Sequence, residues 1–279
     1  MFLYLVVVLF ILLPPYPLYA DDTVIVPVRV DNNIMATIFS GHEFMHFSVS
    51  WSGGIKIGDL FLTVEKAENS QGFVIKATVK DYGLFRLFYP VDDIFTTLVL
   101  GPLMLPYRYE VLQKEGHGSA TTHRLTVYDQ QNLKVSYRKN EGKVKEYSIA
   151  GTVYNEFSSF FITRALNFQQ GQQIVPTFVD EKRHEVAVVL LGREKIRRTL
   201  FGEVDTLKVM PKMDFKGLYD KDGDTIFWLT DDSCRIPVVI NSKIMIGSLT
   251  AKLMEYTNPA CRIWAGGKKL QRQEIELGD

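Results

Sequence analysis

The densest group of carboxylates lies near the C-terminal end of the chain. The stretch YDKDGDTIFWLTDDSC, residues 219–234, contains five aspartates. Asp220, Asp222, Asp224 and Asp231 fall at positions one, three, five and twelve of a calcium-binding loop. The glycine, however, stands at position four, whereas such a loop needs it at position six. Because Asp-Gly tolerates the positive φ of tight hairpins, the stretch predicts a turn between two strands.

The adjacent pair Asp231-Asp232 raises the question of acid–base catalysis. Two carboxylates can do this chemistry when their environments separate their pKa values. Neighbouring residues of a strand point to opposite faces, so these two would not share a proton or a ligand. We therefore predict a structural role, in which one of them caps the strand end or accepts a hydrogen bond from Arg235. A hydrolase that uses Asp231 or Asp232 remains an alternative.

Two histidines in HEFMH, His42 and His46, resemble the HExxH signature of zinc peptidases. That signature works on a helix, where residues four apart share a face. Here the overlapping stretch FMHFSVSW alternates as a strand does. A strand would hold the two histidines about 13 Å apart, too far for one zinc ion. The sequence predicts no metal site, no catalytic residue and no cofactor.

The chain has no net charge that would attract polyanionic partners. It has 279 residues with 32 basic and 32 acidic side chains. This balance provides no electrostatic basis for binding nucleic acid or an anionic membrane surface. Its hydrophobic content of 46% is ordinary for a globular protein.

Residues 1–20 have the layout of a secretory signal peptide. An apolar run from Phe2 to Leu13 meets Pro14 and Pro15, and a small residue, Ala20, precedes the acids. The alternative is a membrane anchor, but a spanning helix needs roughly 20 apolar residues. We expect cleavage after Ala20, export to the periplasm of a Gram-negative bacterium, and no transmembrane segment in the mature chain.

Cys234 and Cys261 are the two cysteines of the chain. In an oxidising compartment they can form a disulfide, which by loop entropy would contribute about 3 kcal/mol. The alternative is a pair of buried thiols, and the sequence leaves both open.

Period-two alternation dominates the rest of the chain. In FMHFSVSW, for example, Met45, Phe47, Val49 and Trp51 share one face. About a dozen such segments follow at hairpin spacing, and long crossovers are missing. We predict an all-β, mainly antiparallel fold: a curled sheet or open β-barrel in a single domain, residues 21–256. A polar C-terminal tail, residues 257–279, follows it.

One segment, NEFSSFFITRALNFQQG, has helical spacing and predicts a single packed α-helix. Asn155 can cap its start and Gly171 its end. Its wide apolar stripe needs a partner, which the concave face of a curled sheet would provide. A second, short helical turn is predicted between Pro90 and Pro102, with the acids of YPVDDIF at its N-terminus.

These segments together resemble a known family, the exported, YmcC-like bacterial proteins with the domain of unknown function 3108 (DUF3108). The resemblance covers residues 43–256 and includes FSVSWSGG around Trp51 and the order of the later strands. Its most specific part is the C-terminal pattern of Trp228, Asp231, Asp232, Arg235, Pro237, Gly247 and Ser248. In the helix Ser158 and Arg164 fit, whereas Asn155 and Phe161 replace an acid and a tyrosine. The resemblance implies an open barrel of the bacterial envelope and no established activity.

Several expectations about function follow. Arg164 lies mid-helix and is expected to pair with Asp231 or Asp232. The abundance of aromatic residues (12%) and the apolar helix favour a non-enzymatic protein that binds a hydrophobic, lipid or glycan ligand in the curled sheet. The alternative is an envelope scaffold that binds a protein partner without a small ligand.

Overall fold

The structure, a computed structural model, describes residues 28–261 except 53, 69–71, 84–85, 88–89, 117–120, 180, 213–224 and 245–246. The predicted signal peptide, the predicted turn at Asp220–Asp224 and residues 262–279 therefore lie outside the described residues. Within these residues no helix is long and apolar enough to cross a membrane.

The described chain contains fourteen strands, two α-helices and a short 3-10 helix, Phe168–Gln170. The helices are α1, Asn32–Ile38, and α2, Glu156–Ala165. The strands are β1 His42–Trp51, β2 Ile55–Lys66, β3 Phe73–Asp81, β4 Val91–Leu100, β5 Leu105–Glu115, β6 Thr122–Asp129, β7 Lys134–Lys139, β8 Lys145–Ser148, β9 Gln173–Val179, β10 Lys182–Thr199, β11 Gly202–Lys212, β12 Thr225–Thr230, β13 Pro237–Lys243 and β14 Ser248–Thr257.

All strands belong to one antiparallel sheet in the order β8 to β1, then β14 to β9. Each half is a meander of hairpins, and the pairing of β1 with β14 joins the two halves. The sheet curls without closing, which confirms the predicted all-β open barrel. The alternation along each strand places one set of apolar side chains on the concave face, where Met45, Phe47 and Leu62 are buried.

Helix α2 packs on this concave side, against α1, β9, β3 and β4. Asn155 caps it as predicted: its side chain accepts from the Ser158 backbone N–H at 2.8 Å, while Ser158 Oγ accepts from the Asn155 N–H at 2.9 Å. The predicted end at Gly171 is wrong, since α2 ends at Ala165. The next residue, Leu166, is extended and forms a β-bridge with Val30, so the chain leaves the helix there.

Two local predictions fail. Helix α1 was missed, although Asp31 caps it by accepting from the N–H groups of Asn33 and Ile34. The helical turn predicted between Pro90 and Pro102 is strand β4. The acid Asp93 is not at a helix N-terminus but fully buried on the concave face, where it accepts from the Lys114 N–H at 3.1 Å and the Gln113 amide at 3.2 Å.

The gap between the two edge strands, β8 and β9, is bridged near one end. The Lys145 ammonium on β8 donates to Glu181 after β9 at 2.8 Å, and the Tyr147 hydroxyl donates to the same carboxylate. Beyond β8, the Tyr154 N–H donates to the Pro176 carbonyl and the Phe178 N–H to the Tyr154 carbonyl, both at 2.8 Å. These contacts hold the curl together without a continuous ladder of strands.

Candidate functional site

A cavity of about 270 Å³ lies between α2 and the concave face of the sheet. It is defined here as the apolar groove. Its apolar lining residues are Leu60, Leu62, Val79, Phe95, Phe157, Phe160, Val175, Val179, Val186, Pro211, Phe227, Ile240, Ile244 and Leu249. Both halves of the sheet contribute, because the curl brings β2–β4 opposite β9–β13.

The groove exists because α2 covers only part of the concave face. On the helix, Phe161, Ile162 and Ala165 are completely buried, whereas Phe157 and Phe160 are only half-buried and line the groove. Their rings are held in place by neighbours: Phe157 lies 5.0 Å from Phe95, and Phe160 lies 5.1 Å from Phe227, between ring centroids. The helix thus provides an ordered aromatic wall.

Most hydroxyl groups of the groove lining hydrogen-bond within the protein itself. Thr225 and Ser242 share a hydrogen bond of 2.8 Å, Thr177 donates to the Val175 carbonyl at 3.1 Å, and Ser159 donates to the Glu156 carbonyl at 2.9 Å. A ligand in the groove would therefore gain mainly from apolar contact and not from hydrogen bonds.

A second cavity of about 320 Å³ adjoins the groove near the start of β2 and the end of β3. It shares Leu60, Val79, Ile240 and Leu249 with the groove and adds Val49, Ile57 and Val91. Its polar lining residues include Asp59, Lys80 and Asp81. The apolar surface is thus elongated along the concave face.

The buried arginine of α2 does not pair with either predicted aspartate. Arg164 instead forms a bidentate ion pair with Glu43 on β1, with nitrogen–oxygen distances of 2.6 and 2.8 Å. The prediction failed because Glu43 lies on the concave face directly under α2, whereas Asp231 is exposed. The same guanidinium donates to the Arg235 carbonyl at 3.0 Å, so α2 contacts the loop after β12 through its backbone.

Other polar groups complete the environment of Glu43. The Tyr256 hydroxyl donates to Glu43 Oε1 at 3.1 Å. Burial and, next, the charge of Glu43 raise the pKa of Tyr256, so it remains a hydrogen-bond donor. Burial by itself would lower the pKa of Arg164, but the attraction and hydrogen bonds of Glu43 outweigh it and raise this pKa. The protein itself thus supplies the hydrogen-bond partners that a buried structural ion pair requires.

The comparisons with known proteins place the chain in a family. Residues 46–254 match the family model described as "Protein of unknown function (DUF3108)". The chain belongs to this DUF3108 family. No curated protein gives a significant match.

Among solved structures, this DUF3108 chain is similar to the crystal structure of a beta-barrel-like protein of the domain of unknown function DUF1849 from Brucella abortus. The two share 9% sequence identity with a TM-score of 0.56, and the match covers 78% of this chain and 98% of that one. At this identity the likeness concerns the fold alone.

Of the two adjacent aspartates, Asp232 organises the loop between β12 and β13. Asp232 Oδ1 accepts from the Thr230 hydroxyl and the Cys234 N–H, both at 2.8 Å, and from the Arg235 N–H at 3.1 Å. Asp231 lies at the surface and accepts from Arg193 Nε at 2.7 Å. Neither aspartate lines the apolar groove.

Arg235 and the cysteines lie in the same loop. The Arg235 guanidinium lies 3.8 Å from the Asp231 carboxylate and 5.7 Å from the Phe168 ring, and burial lowers its pKa. Cys234 and Cys261 form a disulfide, with their Cα atoms 5.6 Å apart. The bridge ties the segment after β14 to the loop whose carbonyl groups face Arg164.

The remaining residues of the C-terminal sequence pattern lie outside the groove. Trp228 donates from its indole to Glu194, and Lys208 lies 5.2 Å from its ring. Pro237 is buried at the start of β13. Gly247 has a φ of +86° and lies against Trp51 and Ser52, and the Ser248 N–H donates to Ser52 Oγ at 2.8 Å.

The histidines of HEFMH lie on strand β1, as their alternation predicted. His46 contacts Asp59 at 2.8 Å and stacks on Phe61, with ring centroids 4.5 Å apart. In the described part of the chain no group of three or more histidine, cysteine or acidic residues could hold a metal ion.

Sequence reasoning missed Glu43, although a signal was present. Residue numbers 43, 45 and 47 have the same parity, so Glu43 shares the concave face with Met45 and Phe47. An acid on an otherwise apolar face needs a buried partner. Arg164 is likewise a charged residue in an otherwise apolar stripe, that of α2, and its charge is opposite to that of an acid.

Proposed function

We propose that this chain is a non-enzymatic protein of the bacterial envelope that binds a long hydrocarbon chain, such as the acyl chain of a lipid, in the apolar groove. The observation that carries the proposal is the uncovered apolar surface between α2 and the concave face. Leu60, Val79, Ile240 and Leu249 remain only half-buried there although they face the interior of the curl. Such surface is costly in water and favours an apolar occupant.

The groove and the adjoining cavity together suit such a ligand in volume. Small-molecule sites usually measure about 300–1,000 Å³, and the groove and its neighbour measure about 270 and 320 Å³. Each methylene moved from water into the groove would contribute about 0.8 kcal/mol. Part of that gain is offset by the lost freedom of the ligand.

The chemistry of the lining favours an alkyl chain over a peptide. A peptide carries N–H and C=O groups that need partners when they leave water. The hydroxyl groups of Thr177, Thr225 and Ser242 are already bonded within the protein. An alkyl chain needs no such partners.

The envelope location rests on two further observations. Residues 1–20 have the pattern of a cleaved signal peptide. The Cys234–Cys261 disulfide belongs to proteins that mature in an oxidising compartment such as the periplasm. Catalysis by Asp231 or Asp232 finds no support. Asp231 accepts from Arg193 at the surface, Asp232 accepts from backbone N–H groups of the β12–β13 loop, and neither lines the apolar groove.

Native mass spectrometry of residues 21–279, purified from a periplasm without detergent, tests the proposal first. We expect an additional mass that an organic solvent extracts. The delipidated protein should then bind the apolar dye N-phenylnaphthylamine with a rise in fluorescence. A protein without extractable mass that also leaves the dye unbound would overturn the proposal and favour a scaffold that binds a protein partner.

A matched pair of variants locates the binding. Val79→Trp fills the groove, whereas Thr78→Trp places the same side chain on the opposite face of β3. We expect Val79→Trp to lose dye binding and Thr78→Trp to keep it. Equal binding by both variants would place the dye elsewhere and contradict the groove as its site.

A further inference from the structure

A third cavity, of about 280 Å³, lies beside the apolar groove at the N-terminus of α2. It is defined here as the polar cavity, and its polar lining residues are Tyr109, Arg124, Thr126, Tyr128, Tyr137, Glu156 and Glu181. Glu156 and Val179 line both the polar cavity and the groove. A molecule longer than the groove would therefore enter the polar cavity next.

The strand register concentrates hydroxyl groups in this cavity. Thr126 on β6 lies opposite Tyr109 on β5 and opposite Tyr137 on β7. The three side chains thus form one row across three strands, and Tyr128 follows two residues along β6. Burial and then the charge of Glu156 raise the pKa of Tyr128, so its hydroxyl stays protonated and able to donate.

Arg124 supplies a directed donor next to this row. It lies opposite Val111 on β5 and two residues before Thr126 on β6, so Arg124 and Thr126 share one face of the sheet. One of its terminal nitrogens donates to the Gln113 side chain, while its Nε is buried without a hydrogen-bond partner among the described residues. A buried donor in this state favours a ligand that carries an acceptor oxygen.

The charges around the cavity do not favour a charged ligand. Arg124 faces a cavity that also contains the carboxylates of Glu156 and Glu181. Glu181 is already compensated by Lys145, at 2.8 Å. An anionic group would meet Glu156, and a cationic group would meet Arg124. Hydroxyl groups both donate and accept, so they can use the arginine, the carboxylates and the tyrosines together.

We propose that the polar cavity binds the uncharged, hydroxyl-rich headgroup of an amphiphile, a sugar or a polyol, whose hydrocarbon chain occupies the apolar groove. This inference rests on the function proposed above and adds the class of headgroup. The ligand is then a glycolipid-like molecule, with its chain buried against α2 and its headgroup between β5–β7 and the end of β9.

The test compares four amphiphiles that share a dodecyl chain: dodecyl maltoside, dodecylphosphocholine, dodecyl sulfate and dodecyltrimethylammonium. Each is used below its micelle concentration to displace N-phenylnaphthylamine from the delipidated protein. We expect the maltoside to displace the dye at a concentration at least about tenfold lower than the other three, as a few additional hydrogen bonds would produce.

Substitutions in the polar cavity test whether its side chains cause the preference for the maltoside. Arg124→Gln and Tyr137→Phe should each weaken displacement by the maltoside by about five- to tenfold and leave the other three within about twofold. Arg108→Gln and Tyr107→Phe make the same changes at exposed positions of β5 and should have no effect. Thermal unfolding of each variant verifies that it is folded, and Tyr137→Phe preserves the test if Arg124→Gln is unstable.

The outcomes separate this inference from the proposed function. If all four amphiphiles displace the dye equally, the headgroup inference is overturned while the groove stands. A preference for phosphocholine, sulfate or ammonium over the maltoside also overturns it, in favour of a charged headgroup. If the dye does not bind at all, both the groove and the headgroup site are wrong.

Discussion

Arg164 on α2 and Glu43 on β1 form a bidentate ion pair, with distances of 2.6 and 2.8 Å, and neither side chain has any exposed surface. The pair fixes where α2 lies on the concave face. Through the Arg235 carbonyl, at 3.0 Å from Arg164 Nε, it also connects the helix to the loop between β12 and β13. Because α2 forms one wall of the apolar groove, this ion pair positions the proposed binding site.

Removal of one partner of this pair should strongly destabilise the protein. We expect Arg164→Met to lower the free energy of unfolding by about 3–5 kcal/mol, because Glu43 would remain buried without its counter-charge. Urea unfolding followed by tryptophan fluorescence measures the loss. The double variant Arg164→Met/Glu43→Leu should recover most of it, because neither partner is then left buried without the other.

The surface ion pair of Asp231 provides the contrast. Arg193, its partner, is 66% exposed, so Asp231→Asn should cost less than about 1 kcal/mol. An Asp231→Asn variant as unstable as Arg164→Met would contradict the assignment of Glu43 as the partner that matters.

Reduction of the Cys234–Cys261 disulfide should lower stability without unfolding the sheet. The bridge spans 27 residues, and a loop of this size predicts a loss of about 3 kcal/mol. Unfolding of the oxidised protein, the reduced protein and the Cys234→Ala/Cys261→Ala variant measures the effect. The reduced protein and the double variant should agree, and a reducing agent should not change the double variant.

The contribution of the Glu181 contact between the edge strands to stability should depend on pH. Hydrogen bonds from Lys145 and Tyr147 hold the pKa of Glu181 below its ordinary value of 4.5. A carboxyl whose pKa is depressed by folding stabilises the protein above its unfolded pKa, and this contribution is lost as the pH falls through the folded pKa.

We therefore expect Glu181→Gln to be less stable than the natural protein at neutral pH. The difference should shrink as the pH falls below 4.5 and the Glu181 carboxyl takes up its proton. Thermal unfolding over a pH series measures it, with Glu146→Gln, an exposed acid of β8, as the control. A difference that stays constant down to strongly acidic pH would refute the electrostatic explanation.

Two glycines with left-handed backbones should differ in their tolerance of alanine. Gly247 and Gly54 have φ values of +86° and +82°. A Cβ at Gly54 would meet nothing within 4 Å, whereas one at Gly247 would collide with the Ser52 side chain.

We expect Gly54→Ala to cost about 1 kcal/mol from backbone strain alone. Gly247→Ala should cost clearly more, because Ser52 must move and its hydrogen bond with the Ser248 N–H would be disturbed. Urea unfolding of both variants measures the difference. Equal costs would show that Ser52 does not constrain this turn.

Much of the secondary structure follows from local physics that the sequence carries directly. The alternation of Met45, Phe47 and Val49 predicted strand β1, and the same period predicted most of the other strands. Asn155 predicted the start of α2 because a side-chain oxygen at that position satisfies an N–H of the first turn. The residues of the C-terminal pattern likewise predicted the family, which the match over residues 46–254 confirms.

Local patterns failed where a distant contact decided the outcome. The acids of YPVDDIF predicted a helix start, but Asp93 is on a strand because its carboxylate accepts from the neighbouring strand β5. The end of α2 was placed at Gly171, but Leu166 leaves the helix to pair with Val30, far away in the chain. In both cases tertiary hydrogen bonds outweighed a local preference.

By itself the sequence determined the fold class, the cap of α2, the family and the pair of cysteines able to form a bridge, because each depends on residue types and short spacings. Only the tertiary structure decided that Arg164 pairs with Glu43, 121 residues away, and that the disulfide forms. It also decided that the concave face keeps an open groove. The alternation of apolar residues would be the same in a filled core, and only the curl of the sheet and the partial cover by α2 leave that space.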